Sequence, residues 1–264
     1  MRTTSNPAFR NLPAGGYAGF GSAPAGLAAP AGLAGQSGYA GAPATTERPM
    51  TVDDVVTKTG ITLAVLVAAA AVTWLSDLVW LALPAALVGF VLAMVVIFKK
   101  TVSPPLILAY AAVEGVFLGG ISAIFNAQFG NGIVLNAVVG TAFVFGGMLV
   151  VYKTGAVRVT PRFQKWMMGA LIGVVGLMLV NLIASFFTDG GLGLRDGGPL
   201  AIIFSLVCIG VAAFSFLMDF DAADKAIRAG APEKFAWYTA FGLTVTLVWL
   251  YLEILRLLSY FQGE

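Results

Sequence analysis

The stretch 214–258, FSFLMDFDAADKAIRAGAPEKFAWYTAFGLTVTLVWLYLEILRLL, decides how this chain is read. Two apolar segments flank a charged linker. Asp219 closes the first segment, and Glu253 lies inside the second with Arg256 one turn later. Acids and bases inside membrane spans are costly to keep there, so they mark function before they mark packing.

The composition around this stretch fits a membrane reading. Hydrophobic residues make up 59% of the 264 positions and charged residues 11%. Soluble domains carry about 25% charge, so the sequence predicts an all-α, polytopic membrane protein. The net charge of +2 does not suggest nucleic-acid binding. There is no histidine, which removes the usual metal ligand and the usual near-neutral pH switch. Proton sensing must then rest on carboxylates. The single cysteine, Cys208, rules out an intrachain disulfide.

Residues 1–49 are rich in Gly, Ala and Pro, with sparse aromatics at Tyr17, Phe20 and Tyr39. Such a composition cannot bury enough apolar surface to fold, so this part is expected to be a disordered tail. The segment TVDDVVTKTG from Thr51 reads as a short polar helix on the membrane surface, capped by Thr51 or Asp53. Residues 61–98 are apolar except for Asp77, about twice the length that crosses hydrocarbon, so the chain must turn back at Ser76–Asp77. Seven spans follow, in one domain covering 50–264, at about 58–75, 78–98, 104–126, 132–152, 166–187, 199–219 and 235–258. Lys99, Lys100, Lys153, Arg158, Arg162, Lys165, Lys225, Arg228 and Lys234 fall in alternate connections, whereas the other connections hold only Arg195. This asymmetry predicts a cytoplasmic N-terminus. Gly115 with Gly119, and Gly169 with Gly173, are spaced for close helix contact.

The ionisable residues carry the chemical candidates. Glu114 sits near the middle of the third span, as a pathway residue or as an acid bonded to a neighbouring helix. Asp221 and Asp224 share a helix face after Asp219, and the three are weak candidates for a hard cation, without EF-hand spacing. Glu253 and Arg256 are placed to pair on one helix. Asn136 and Asn181 read as interhelical hydrogen-bonding residues. No P-loop, Rossmann glycine pattern, nucleophile elbow or zincin motif is present, and an enzyme is not expected.

The third span LILAYAAVEGVFLGGISAIF, the sixth-span end FLMDFD and the last-span run LYLEILRLL resemble the Bax inhibitor-1 family over about residues 50–262. The likeness is to a bacterial branch with a Gly/Ala-rich N-terminal tail. The resemblance implies a seven-helix bundle with the last helix at its centre. It also implies a pH-sensitive calcium leak across the bacterial inner membrane, with no cofactor and with Ca²⁺ as the transported ion. Two acids on the last two spans would share a proton and gate the bundle. By motif these are Asp219 and Glu253, the latter standing where the family often has Asp. Glu114 would line the route and Arg256 would supply a counter-charge. A straight seventh helix carries Glu253 about 27 Å from the side on which Asp219 ends its span. Contact then needs an embedded 220–234 linker or displaced helices, and Glu114 is the substitute partner. The alternative function is a non-transporting regulator that binds a membrane protease or another membrane protein.

Overall fold

The computed structural model describes residues 48–99, 102–130, 132–188 and 191–262. Most of the predicted tail lies outside these residues, but its last two do not. Pro49 bridges Pro232, the Met50 N–H donates to the Ala231 carbonyl, and the Glu233 N–H donates to the Arg48 carbonyl.

Among the described residues, seven helices are long and apolar enough to cross a membrane. They are α1 (Val52–Leu75), α2 (Ala82–Phe98, entered through a 3₁₀ turn at Val79–Leu81), α3 (Pro104–Phe129), α4 (Ile133–Thr154), α5 (Pro161–Ala184), α6 (Pro199–Arg228) and α7 (Phe235–Gln262). The protein is therefore an all-α, multi-pass membrane protein. Large apolar side chains such as Leu83, Phe143, Trp166 and Phe187 point outward, as surfaces bathed in lipid require.

α7 is the hub. It packs against α1, α3, α4 and α6, while α2 rests on α3 and α5 on α6. Leu250, Leu255, Thr244 and Ala240 of α7 are almost wholly enclosed, beside Phe216 and Leu217 of α6. Cys208 is buried in the same helix. The closest approach is between α1 and α3. A Cβ on Gly115 would lie 2.2 Å from the Leu66 carbonyl oxygen, and one on Gly119 would lie 2.4 Å from that of Ala70. Gly169 and Gly173 share this spacing, yet a Cβ on either meets nothing within 4 Å. Among the described residues the expected close contact of that second pair is absent, because α5 turns these residues away from α6.

Two sequence boundaries are corrected. The polar stretch after Thr51 is no separate surface helix but the first turns of α1. Thr51 caps it through a reciprocal capping box with Asp54, which satisfies amides otherwise left open at a helix start. The sixth helix does not end at Asp219; it runs nine residues further, to Arg228. The turn at Ser76–Asp77 stands where predicted, with Asp77 in the left-handed region at φ 54°, a conformation that Asp tolerates better than most residues.

Candidate functional site

Because α6 continues past Asp219, this acid stands beside α7 rather than at a frayed end. Its Oδ2 accepts a hydrogen bond from the Thr246 hydroxyl at 2.8 Å. The same hydroxyl lies 3.2 Å from the Gly242 carbonyl oxygen, one turn back on α7. A hydroxyl has one proton to give, so Thr246 has two acceptors and can satisfy only one at a time.

Glu253 is seven residues beyond Thr246, about 10 Å along the same face of α7. Its side chain is 2% exposed. It meets not Asp219 but Arg195, whose Nη2 lies 3.0 Å from Oε1. Arg256 approaches the same oxygen at 3.7 Å. One buried carboxylate therefore sits between two guanidiniums. The face of the Arg195 guanidinium also lies 5.6 Å from the Phe204 ring, a favourable site for a cation.

Arg195 is positioned by the α5–α6 connection. Asn181, near the end of α5, accepts the Leu192 N–H through its side-chain oxygen at 2.9 Å. Gly191 turns there with φ 68°, and a Cβ would lie 2.8 Å from the Asn181 carbonyl oxygen. This turn brings the connection back over the bundle, where Leu194 is buried and Arg195 reaches Glu253. Met178, Asn181, Ser185, Arg195 and Arg256 line a cavity of about 510 Å³ beside the pair. The polar asparagine thus holds a loop rather than bridging two spans, and Asn136 is exposed.

The other predicted residues stand elsewhere. Glu114 points into the α2–α3 seam, where a Cβ on Gly89 would lie 2.7 Å from its Oε2. It forms no hydrogen bond or ion pair among the described residues, and it does not substitute as a partner for Asp219. Asp221 pairs with Lys225, and Asp224 with Arg228 at 2.7 Å. Among the described residues no three acids, cysteines or histidines converge on a metal position, so Asp219, Asp221 and Asp224 form no cluster.

A second charged group closes the opposite end of the bundle. Arg48 meets Asp54 at 2.7 Å and Glu233 at 3.2 Å, and Lys58 meets Glu233 at 2.9 Å. The Lys58 ammonium also donates to the Glu233 carbonyl at 3.0 Å and lies 6.0 Å from the Trp237 ring. The hydrogen bond to Asp54 holds the Arg48 guanidinium above its usual pKa. Arg48, Lys58 and Glu233 were not among the sequence candidates. The capping-box spacing of Thr51 and Asp54 was the one local signal of a fixed start here.

Comparison with known proteins agrees with this architecture. Residues 6–263 match the profile described as Bax inhibitor 1 like. The chain belongs to the Bax inhibitor 1 like family. A relative in Chlamydia muridarum (strain MoPn / Nigg), named Uncharacterized protein, is 33% identical over 118 residues. That match covers 44% of this chain and 45% of the relative, so the chain spans less than half of that protein's length. Within this family member, the acids on the last two helices hold separate partners: Asp219 meets Thr246, and Glu253 meets Arg195.

Proposed function

We propose that this Bax inhibitor 1 like protein is a proton-gated cation leak of the bacterial inner membrane, with Ca²⁺ as its ion and the N-terminus in the cytoplasm. The observation that carries the reading is the Thr246 hydroxyl between Asp219 and the Gly242 carbonyl oxygen. When Asp219 is ionised, the Thr246 hydroxyl donates its hydrogen bond to the carboxylate. When Asp219 is protonated it becomes a donor itself, and Thr246 is free to turn back to its own helix. One proton thus changes how α6 grips α7. Because α7 contacts four other spans, loosening that grip acts on the whole bundle.

Glu253 has a different part. Flanked by Arg195 and Arg256, it is neutralised by its neighbours and closes the far end of the last helix as an ion pair. A cation approaching from that end would meet Arg195 before it met the acid. Release of Arg195 would expose a carboxylate facing Asp219's side of α7, two turns away. Glu114, in the α2–α3 seam, serves at most as an outer acid of the route. Calcium flux into proteoliposomes, compared at acid and neutral pH, tests this reading. The double variant Asp219→Asn with Glu253→Gln should lose the pH dependence. Unchanged flux with unchanged pH dependence would rule the mechanism out.

A further inference from the structure

Between α1 and α4 the bundle is open along its side. Among the described residues these helices form no substantial interface with each other, although both pack on α7. The gap is a slot of about 610 Å³ that reaches inward to Leu118 and Ser122 of α3 and to Val248 and Tyr251 of α7. Its rim is exposed, with Val67 at 61%, Leu75 at 84% and Val138 at 50%. Its floor is buried, with Leu118, Ser122, Val248 and Tyr251 all under 9%.

The shape of the slot selects its occupant. Along α1 it runs from Leu63 to Leu75, about 18 Å of helix, and along α4 from Val134 to Phe145, about 16 Å. One leaflet of hydrocarbon is about 15 Å deep. The lining comes from the last half of α1 and the first half of α4, which lie at the same depth. The slot therefore belongs to one leaflet, the one remote from the start of α1.

Water does not suit this space. The hydroxyls on the floor already bond within the protein: Ser122 to Tyr251 at 2.6 Å, and Thr141 to the Ala137 carbonyl at 2.7 Å. A buried water needs two to four polar partners, and apart from these hydroxyls and the Trp74 indole every lining side chain is apolar. An empty slot would forfeit dispersion contacts along its whole length. The surroundings at this depth are hydrocarbon chains.

The geometry points to a lipid site: one acyl chain of a membrane phospholipid lies lengthwise between α1 and α4, with its side against the Ser122–Tyr251 pair. The chain completes the packing around α7 where the protein leaves it incomplete. Tyr251 is two residues from Glu253, so the lipid touches the helix that carries the acid. The site does not depend on the ion-leak reading, and its test requires no flux.

The full chain is reconstituted in vesicles of phosphatidylcholine bearing a diazirine midway along one acyl chain, then irradiated and mapped by mass spectrometry. Label is expected on the slot floor, at Leu118, Ser122 or Tyr251, as well as on the outer surface at Leu83 and Phe143. Ala71 and Ala142 are exposed on the rim, so Ala71→Trp with Ala142→Trp fills the slot without entering the core. Floor labelling should fall about tenfold because the filled volume leaves no room for a chain, while outer labelling stays. If that pair does not fold, Ala71→Phe alone should give an intermediate fall. A floor that stays unlabelled in the unaltered chain overturns the proposal, as does floor labelling indifferent to the filling. A disulfide between two copies of Val138→Cys, formed in the vesicles, would mean that another subunit covers the slot and would equally overturn it.

Discussion

Arg195 crosses from the α5–α6 connection to Glu253 on the enclosed face of α7, 3.0 Å away, and covers a carboxylate that is only 2% exposed. Breaking a buried ion pair from one side leaves an uncompensated charge, which costs about 3–5 kcal/mol where both groups are enclosed. Arg195 is itself 22% exposed and Arg256 stays 3.7 Å from the same oxygen, so the cost falls below that range. Arg195→Ala should lower the thermal midpoint measured in detergent. Adding Glu253→Gln should restore much of the loss, because the enclosed charge that has lost its nearer partner is gone. A double variant as unstable as the single one would show that Arg195 acts through packing instead.

Thr246→Val keeps the shape of the residue and removes the hydroxyl between Asp219 and Gly242. If the hydroxyl transmits the protonation state of Asp219, calcium flux in proteoliposomes should persist but lose most of its difference between acid and neutral pH. Thr246→Ser keeps the hydroxyl and should retain that difference. Equal pH profiles for Val and Ser would remove Thr246 from the gate.

Gly119→Val would drive a side chain into the Ala70 backbone, since even a Cβ there falls 2.4 Å from its carbonyl oxygen. Backbone atoms cannot move aside as a flexible side chain can, so the α1–α3 contact must open. Overpacking of this kind costs about 1–3 kcal/mol or more. Gly173→Val, at the same spacing on α5, meets open space and should change stability by no more than about 0.5 kcal/mol, as surface substitutions do. Melting curves of the two variants in one detergent make the comparison.

Lys58→Met retains most of the side-chain volume while deleting the charge that meets Glu233. The Glu233 carbonyl and carboxylate each lose one donor, while the carbonyl keeps the Ala236 N–H and the carboxylate keeps Arg48. The expected cost is about 0.5–1.5 kcal/mol, the net worth of one hydrogen bond, because Glu233 keeps Arg48 and is 37% exposed. Hydrogen exchange should quicken at Met50 and Glu233, whose amides bond across to the other segment. Unchanged exchange at both amides would show that the backbone bridge holds without the lysine.

Much of the architecture was legible in the chain because hydrocarbon thickness constrains helix length. A run from 61 to 98 with Asp77 as its one charge has to fold back, and it does so at Ser76–Asp77. The end of α6 was harder to read. Asp219, Asp221 and Asp224 look like a segment leaving the membrane, but Lys225 and Arg228 follow the last two acids at helical spacing and carry the helix onward. That extension decides what Asp219 touches. Arg195 counted only as a charge in a glycine-rich connection, because a loop has no periodicity from which to infer its reach. The two glycine pairs show a related limit: spacing identifies a smooth helix face but says nothing of which neighbour occupies it.

The placement of α7 also orders events in time. A ribosome makes the middle of this bundle last, so the six earlier helices must wait in the bilayer without their shared partner. The backbone bridge between Pro49 and Pro232 cannot form until synthesis has passed the α6–α7 connection. A nascent chain cut short before α7 would therefore present unfilled grooves on α1, α3, α4 and α6.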